Sequence, residues 1–238
     1  MVEVSDAFEG GNVEVVAVGE SGLVELRIRR DHMSDHLQWF YFRLSGARGR
    51  ALTIKIVNAG EASYVDGWEG YRACISHDRQ RWDRTPTRYE DGALVIELTP
   101  SHDMIWLAYF APYSMERHHD LLARAQQSTR VEHIRLGATL DGRDIDLLHV
   151  RSPESAELPR KRCWVFARQH PGETMAEWFI EGLLERLLDR DDPTARALLE
   201  RAELWVVPNM NPDGSWRGHL RTNAAGANLN REWREPAL

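Results

Sequence analysis

The sequence predicts an α/β protein with an N-terminal all-β domain: an antiparallel β-sandwich over residues 1–113, then a mixed sheet flanked by helices over 114–238. Three observations predict it. All six tyrosines and four of the six phenylalanines lie at or before Tyr113, so the first half has its own aromatic core. Short alternating or β-rich runs recur there at roughly ten-residue spacing, which is the pattern of a sandwich. Beyond residue 114, helical periodicity alternates with short apolar runs, which predicts a sheet buried between helices.

In order along the chain, runs at 13–18, 22–28, 38–44, 51–57, 72–76, 93–98 and 104–110 predict strands, separated by Gly, Asn and Asp. The character changes at Ala111-Pro112-Tyr113-Ser114, and 116–127 predicts a helix. Asp141-Gly142 between the runs 131–140 and 145–150 is a strong hairpin signal. Residues 163–167 predict a strand. In the helix predicted over 174–189, Ala176, Phe179, Ile180, Leu183, Leu184, Leu187 and Leu188 form one apolar face. Asp192-Pro193 opens a further helix over 193–202, with Asp as cap and Pro in the first turn. Residues 204–207 predict a last strand.

The composition excludes several classes. Apolar residues make up 42% and charged residues 28%, with no low-complexity tract, so the chain folds. Net charge is −7, and basic spots such as Arg27-Ile28-Arg29-Arg30 are short, so no nucleic-acid surface is expected. Cys74 and Cys163 form no Cys-x-x-Cys pair, which excludes thiolate zinc sites and redox motifs. The N-terminus does not read as a secretory signal. No run of about 18 apolar residues occurs, so no membrane partner is expected.

Residues 168–173 read Arg-Gln-His-Pro-Gly-Glu, between a predicted strand and a predicted helix. Zinc takes imidazole nitrogen and carboxylate oxygen. His170 and Glu173 could both point at one cation, with Pro171-Gly172 enforcing a non-helical turn between them. The pair has a blander reading, in which Glu173 favours the helix N-terminus and His170 is a loop residue. His118 and His119 are adjacent on a predicted helix and do not face one another, so both are expected at the surface. His32 and His36 are expected on an exposed loop.

Further on, residues 221–231 carry two guanidinium forks, asparagine amides and Gly226 at a tight turn. Arginine's planar fork matches a carboxylate, which makes Arg221, Asn230 and Arg231 candidates for an anion clamp. Asn211-Pro212-Asp213-Gly214 reads as a turn. Arg217 and Arg234 read as loop arginines.

These anchors, His-Pro-Gly-Glu at 170–173, Asn-Pro-Asp-Gly at 211–214 and Arg-x-Asn-x-x-Gly-x-Asn-Leu-Asn-Arg at 221–231, occur in an order that resembles the zinc metallocarboxypeptidases. The segments Phe8-Glu9-Gly10-Gly11-Asn12 and Trp39-Phe40-Tyr41-Phe42-Arg43 are similar to the cytosolic carboxypeptidase branch, associated in eukaryotes with removing glutamates from protein tails. The resemblance implies a carboxypeptidase-like mixed sheet and a cytoplasmic enzyme that binds Zn2+ through His170 and Glu173. It implies that Arg221 stabilises the oxyanion, and that Asn230 and Arg231 bind the C-terminal carboxylate of a peptide or protein substrate. The family commonly has Asp two residues before the clamp Asn; this chain has Asn228. The family's third zinc ligand, a histidine, and its general-base glutamate lie downstream of the clamp, where nothing in this chain matches them. The expectation is therefore an incomplete catalytic domain.

Two other functions compete. A zinc deacylase of N-acyl amino acids would share the metal corner and the Asn-Arg pair. A non-catalytic protein would grip a peptide or glycan on the sandwich, and exposed, clustered Trp39, Trp68 and Trp82 would favour it.

Overall fold

The computed structural model describes residues 2–153 and 160–233. Two five-stranded sheets form the N-terminal part. One has the order β1 (Glu3–Ser5), β4 (Tyr41–Ser45), β10 (Ile105–Ala108), β6 (Cys74–Ser76), β7 (Asp83–Arg84). The other has the order β2 (Glu14–Val18), β3 (Leu23–Arg27), β5 (Leu52–Ile56), β9 (Ala93–Leu98), β8 (Thr87–Glu90). Alternate residues point inward, as the period of a strand requires. Leu26, Ile54, Ile56 and Ile96 from one sheet meet Phe40, Phe42, Leu44 and Ile105 from the other in one buried cluster. Each such side chain contributes about 1.5–3 kcal/mol by leaving water.

The pairing is antiparallel except between β3 and β5, which run parallel with Val24 beside Ile54. Three short strands, β1, β7 and β8, escaped the sequence pattern, since Thr87–Glu90 is mostly exposed and Asp83–Arg84 is only two residues long.

The second part holds a four-stranded sheet ordered β11 (Val131–Ala138), β12 (Asp144–Val150), β14 (Ala202–Val207), β13 (Lys161–Phe166). The β11–β12 hairpin turns at Asp141-Gly142, where Gly142 adopts φ 81°. Helix α1 (Met115–Ala125) is capped by Ser114, whose side chain accepts from the Arg117 N–H. Helix α3 (Pro193–Leu199) is capped by Asp192 with Pro in its first turn, as expected.

Helix α2 (Met175–Leu188) buries Glu177, Ile180, Glu181, Leu184 and Leu187, while Phe179 is 60% exposed. Ala176, Leu183 and Leu188 pack against the same core, so the expected apolar face is found except at Phe179. Two core positions carry carboxylates, which are matched by arginines and a histidine rather than by apolar neighbours. Asn211-Pro212-Asp213-Gly214 is also corrected. It opens a helix, α4 (Pro212–Arg217): the Asn211 side chain accepts from the Gly214 N–H at 3.0 Å, and Pro212 fits the first turn.

The two parts are stitched together by polar and aromatic contacts. The Asn12 amide donates to the carbonyls of Gly218 and Trp39 at 2.9 and 3.1 Å. Trp39, Tyr41, Ala108 and Leu220 form a small shared core.

Candidate active site

Strands β13 and β14 are parallel, with Phe166 beside Val207. Their ends therefore release two loops side by side, the usual place for a site in an α/β sheet. The Met210 N–H binds the Ala167 carbonyl at 3.0 Å and joins those loops. On the first, His170 Nδ1 and Glu173 Oε1 lie 3.0 Å apart. His170 Nε2 faces Asn228 Oδ1 at 3.2 Å, and that oxygen also accepts the Asn230 N–H at 3.2 Å. With Nε2–H donating to Asn228, Nδ1 presents its lone pair beside the carboxylate, so the two atoms can reach one cation lying to the side of them. The donor set suits two positions of a zinc site. Among the described residues, no cluster of three or more His, Cys, Asp or Glu completes one.

Two glycines allow the site's loops to meet. Gly172 donates to the Leu220 carbonyl at 2.9 Å, and a Cβ on Gly172 would lie 2.9 Å from that same oxygen. A Cβ on Gly214 would lie 2.4 Å from Pro171 Cγ and 2.6 Å from the Thr222 carbonyl oxygen. Helix α4 thus presses against the His-Pro-Gly-Glu turn from one side and the 220–222 segment from the other.

The Arg221 segment is held from the N-terminal part. Asp31, 3% exposed, accepts the backbone N–H groups of Leu220, Arg221 and Thr222 at 2.6, 2.8 and 2.9 Å, and the Thr222 hydroxyl at 3.1 Å. The Arg221 guanidinium lies 5.8 Å from the centre of the Tyr64 ring. Gly226 turns at φ 80°, packed against the Met33 carbonyl. Asn230 and Arg231 are exposed in a 3-10 turn, Leu229–Arg231, capped by Asn228. The structure thus brings His170, Glu173, the Arg221 segment and the Asn228–Asn230 turn to one corner. Arg217 instead pairs with Asp141 at 2.6 Å, as a structural arginine. Arg234 lies outside the described residues.

His118 corrects the expectation that both α1 histidines are at the surface. It is 2% exposed, with Nδ1 2.7 Å from Glu177 and Nε2 3.1 Å from Asp146. Burial pulls its pKa down, but the hydrogen bonds to the two carboxylates outweigh burial and push it up to about 9. Glu177 also accepts from Arg168 at 2.8 Å, and His133 binds Asp146 at 2.7 Å. His32 is exposed on a loop, as expected, whereas His36 on the same loop is half-buried. Trp39 and Trp68 are each 2% exposed and Trp82 is half-buried, so the exposed aromatic cluster that would favour the binding-protein reading is not formed.

Residues 4–110 match the family model described as the cytosolic carboxypeptidase N-terminal domain, and residues 116–237 match the one described as zinc carboxypeptidase. The chain belongs to the zinc carboxypeptidase family. Among curated relatives of this zinc carboxypeptidase family member, an uncharacterized protein of Zymomonas mobilis is 50% identical over 99% of this chain and 60% of its own length. Human cytosolic carboxypeptidase 1 is 28% identical over 100% of this chain and 23% of its own length. Among solved structures, a metallo-carboxypeptidase from Burkholderia cenocepacia is 46% identical with a TM-score of 0.95, over 99% of this chain and 63% of that one. A metallo-carboxypeptidase from Pseudomonas aeruginosa, in complex with (2-guanidinoethylmercapto)succinic acid, is 46% identical with a TM-score of 0.93, over 99% of this chain and 62% of that one. The chain therefore spans about three-fifths of the length of these bacterial relatives. No described helix is long and apolar enough to cross a membrane.

Sequence reasoning missed Asp31 and the Arg168–Glu177–His118 network. Asp31 gives no signal, because its partners lie about 190 positions away. Glu177 and Glu181, four apart within an amphipathic helix, were a usable signal for buried charge.

Proposed function

We propose that this chain carries the carboxylate-gripping groups and two of the zinc ligands of a metallocarboxypeptidase that removes C-terminal residues from peptides or proteins. The observation that carries this reading is the shared corner: the Asn228 side chain touches His170 and caps the turn bearing Asn230 and Arg231. In it, His170 and Glu173 hold Zn2+, which when bound polarises the scissile carbonyl and lowers the pKa of an attacking water. Arg221 donates to the oxyanion. Asn230 and Arg231 clamp the free carboxylate and so restrict the reaction to the last peptide bond. The reading divides the chain at 113/114, into a sandwich and the first part of the catalytic domain, and places the protein in the cytoplasm.

The third zinc ligand and the general base come, in this reading, from a segment that the longer relatives possess. One surface suits such an addition. Strand β13 is an edge of its sheet, and Trp164 and Phe166 on it are 51% and 44% exposed. Parallel sheets are ordinarily covered on both faces, so a further strand and its helices would bury this edge.

The experiment measures zinc content and C-terminal trimming of glutamate-ended and lysine-ended peptides, on this chain and on a version extended past Leu238. N-acyl amino acids serve as the competing substrates. The extended protein should trim peptides and the short chain should not. In the extended protein His170→Ala should abolish bound zinc, and Arg221→Ala should cost on the order of 100- to 1000-fold in turnover. Equal trimming by both chains would overturn the incompleteness. Unchanged zinc in His170→Ala would remove the ligand, and faster cleavage of acyl-amino acids would assign the deacylase activity instead.

A further inference from the structure

We propose that Arg168 is the positioning residue of the metal corner: it fixes the His170–Glu173 turn by binding the turn's own backbone. The inference rests on the metal-corner reading above and goes beyond it to the residue that holds the ligands in place.

The Gly172 N–H ties the second half of the turn to the Leu220 carbonyl at 2.9 Å, but the His-Pro half needs an anchor of its own. Pro171 contributes no N–H, and the Glu173 N–H binds the His170 carbonyl at 3.1 Å. The Pro171 carbonyl, which belongs to a buried residue, accepts from Arg168 Nε at 3.1 Å. The Arg168 side chain folds back over the turn that follows it. Its Nη1 also donates to the Tyr113 carbonyl at 2.6 Å and to Glu177 Oε2 at 2.8 Å. The guanidinium is 4% exposed and Glu177 is 0% exposed, so this ion pair is isolated from water.

Two features show that the position is over-determined. Arg168 sits at φ 50°, a left-handed conformation that costs a non-glycine residue on the order of 1 kcal/mol or more. Its partner is fixed independently: Glu177 is bound by His118 Nδ1 at 2.7 Å and by the Asn209 amide at 3.2 Å. The Asn209 side chain also accepts the Asn211 N–H, on the neighbouring loop, at 2.9 Å. A chain of buried polar contacts thus ties α1, α2 and the loop after β14 to the carbonyl between the two ligands. Only a planar guanidinium can bind Pro171, Tyr113 and Glu177 from one rigid group. Lysine would keep the charge beside Glu177 but lose the fork.

Arg168→Lys is the test, read by amide hydrogen exchange in the metal-free chain and by zinc titration against a competing chelator. Exchange at residues 170–173 should rise at least tenfold while β5 and β9 keep their protection, and zinc should bind at least tenfold more weakly, at the lower end of the effect of removing an outer-shell partner. A purely structural role would raise exchange everywhere together. Unchanged protection of the turn, or unchanged zinc affinity, would overturn the inference. His170→Ala runs in parallel: if it leaves zinc binding intact, the metal-corner reading fails, whereas zinc that depends on His170 but not on Arg168 sinks only the positioning role. Should Arg168→Lys not fold, the unsubstituted chain decides. Its Arg168 side-chain Nε–H, bound to the Pro171 carbonyl, should exchange far more slowly than those of exposed arginines, and exposed-arginine rates there would overturn the proposal.

Discussion

The His170 ring is held edge-on by Asn228, whose Oδ1 lies 3.2 Å from Nε2 while Nδ1 faces Glu173. The oxygen assignment is fixed by the Asn230 N–H, which the same atom accepts. An amide here orients the ring but contributes no charge. A carboxylate in its place would raise the basicity of the nitrogen proposed to hold the metal, as carboxylates bound to zinc-ligating histidines do. Asn228→Asp is therefore expected to tighten zinc binding several-fold, and Asn228→Ala to weaken it by about 10- to 100-fold. Competition with a chelator of known affinity measures both. Equal affinities across the three proteins would show that the contact does not tune the metal.

Asp31 anchors the Arg221 segment through four hydrogen bonds, and none of the four donors lies within 180 residues of it in sequence. Hydrogen bonds to a charged group contribute about 1.5–3 kcal/mol, and orphaned buried donors cost further. Asp31→Ala is expected to destabilise the protein by about 3 kcal/mol or more, with a smaller loss for Asp31→Asn, which keeps an acceptor. Urea denaturation reads the difference. A loss below about 1 kcal/mol for Asp31→Ala would mean that the 220–222 backbone finds other partners.

What was legible in the sequence follows from the range of the interactions. The β11–β12 hairpin, the α3 cap and the alternation of β3 and β5 are written in neighbouring residues, and all are found. The candidate ligands and clamp residues stood out because their chemistry is concentrated in short segments, although only the fold could bring those segments to one corner. Asp31 was illegible because its role depends on donors brought from the far end of the chain. Periodicity found most of the α2 core face, since Ile180, Leu184 and Leu187 are buried and Ala176, Leu183 and Leu188 pack on the same core, but because it counts apolar residues it missed Glu177 and Glu181, which are buried through ion pairs with arginines 9 to 64 positions away. The helix at 212–217 was read as a turn because Asn and Pro serve both purposes, and the outcome depends on Gly214 fitting against Pro171 and Thr222.

That close fit gives a prediction at Gly214. Any side chain there would overlap Pro171 Cγ at 2.4 Å and the Thr222 carbonyl oxygen at 2.6 Å. One contact is with backbone and the other with a rigid ring, so relief requires moving α4 away from the turn. Overpacking of this kind typically costs 1–3 kcal/mol or more. Gly214→Ala should lower the melting temperature and weaken zinc binding together. By contrast Gly137→Ala, where a Cβ meets nothing within 4 Å, should leave zinc affinity unchanged. Wild-type affinity in Gly214→Ala would show that the turn tolerates the displacement.

The buried histidine makes stability depend on alkaline pH. His118 is enclosed by Asp146 from β12 and Glu177 from α2, with His133 of β11 on the far side of Asp146 and His119 beside it on α1. Burial opposes its charge, yet the carboxylates prevail and its pKa rises from 6.5 to about 9. A raised folded-state pKa means that the folded protein holds the proton more tightly than the unfolded chain. The stabilisation is then complete below about pH 6.5 and is lost as pH climbs through 9. Asp146 mirrors it: burial raises its pKa, but His118 and His133 bring it below the ordinary value, so acid removes the same interaction from the other side. Urea midpoints should hold steady from about pH 5 to 6.5 and then fall, by at most on the order of 3 kcal/mol in stability, by about pH 9.5. His118→Gln should be less stable at pH 6 and should show a much flatter profile between pH 6.5 and 9.5. If the substituted and unsubstituted proteins keep parallel pH profiles across that window, His118 does not carry the proton between Asp146 and Glu177.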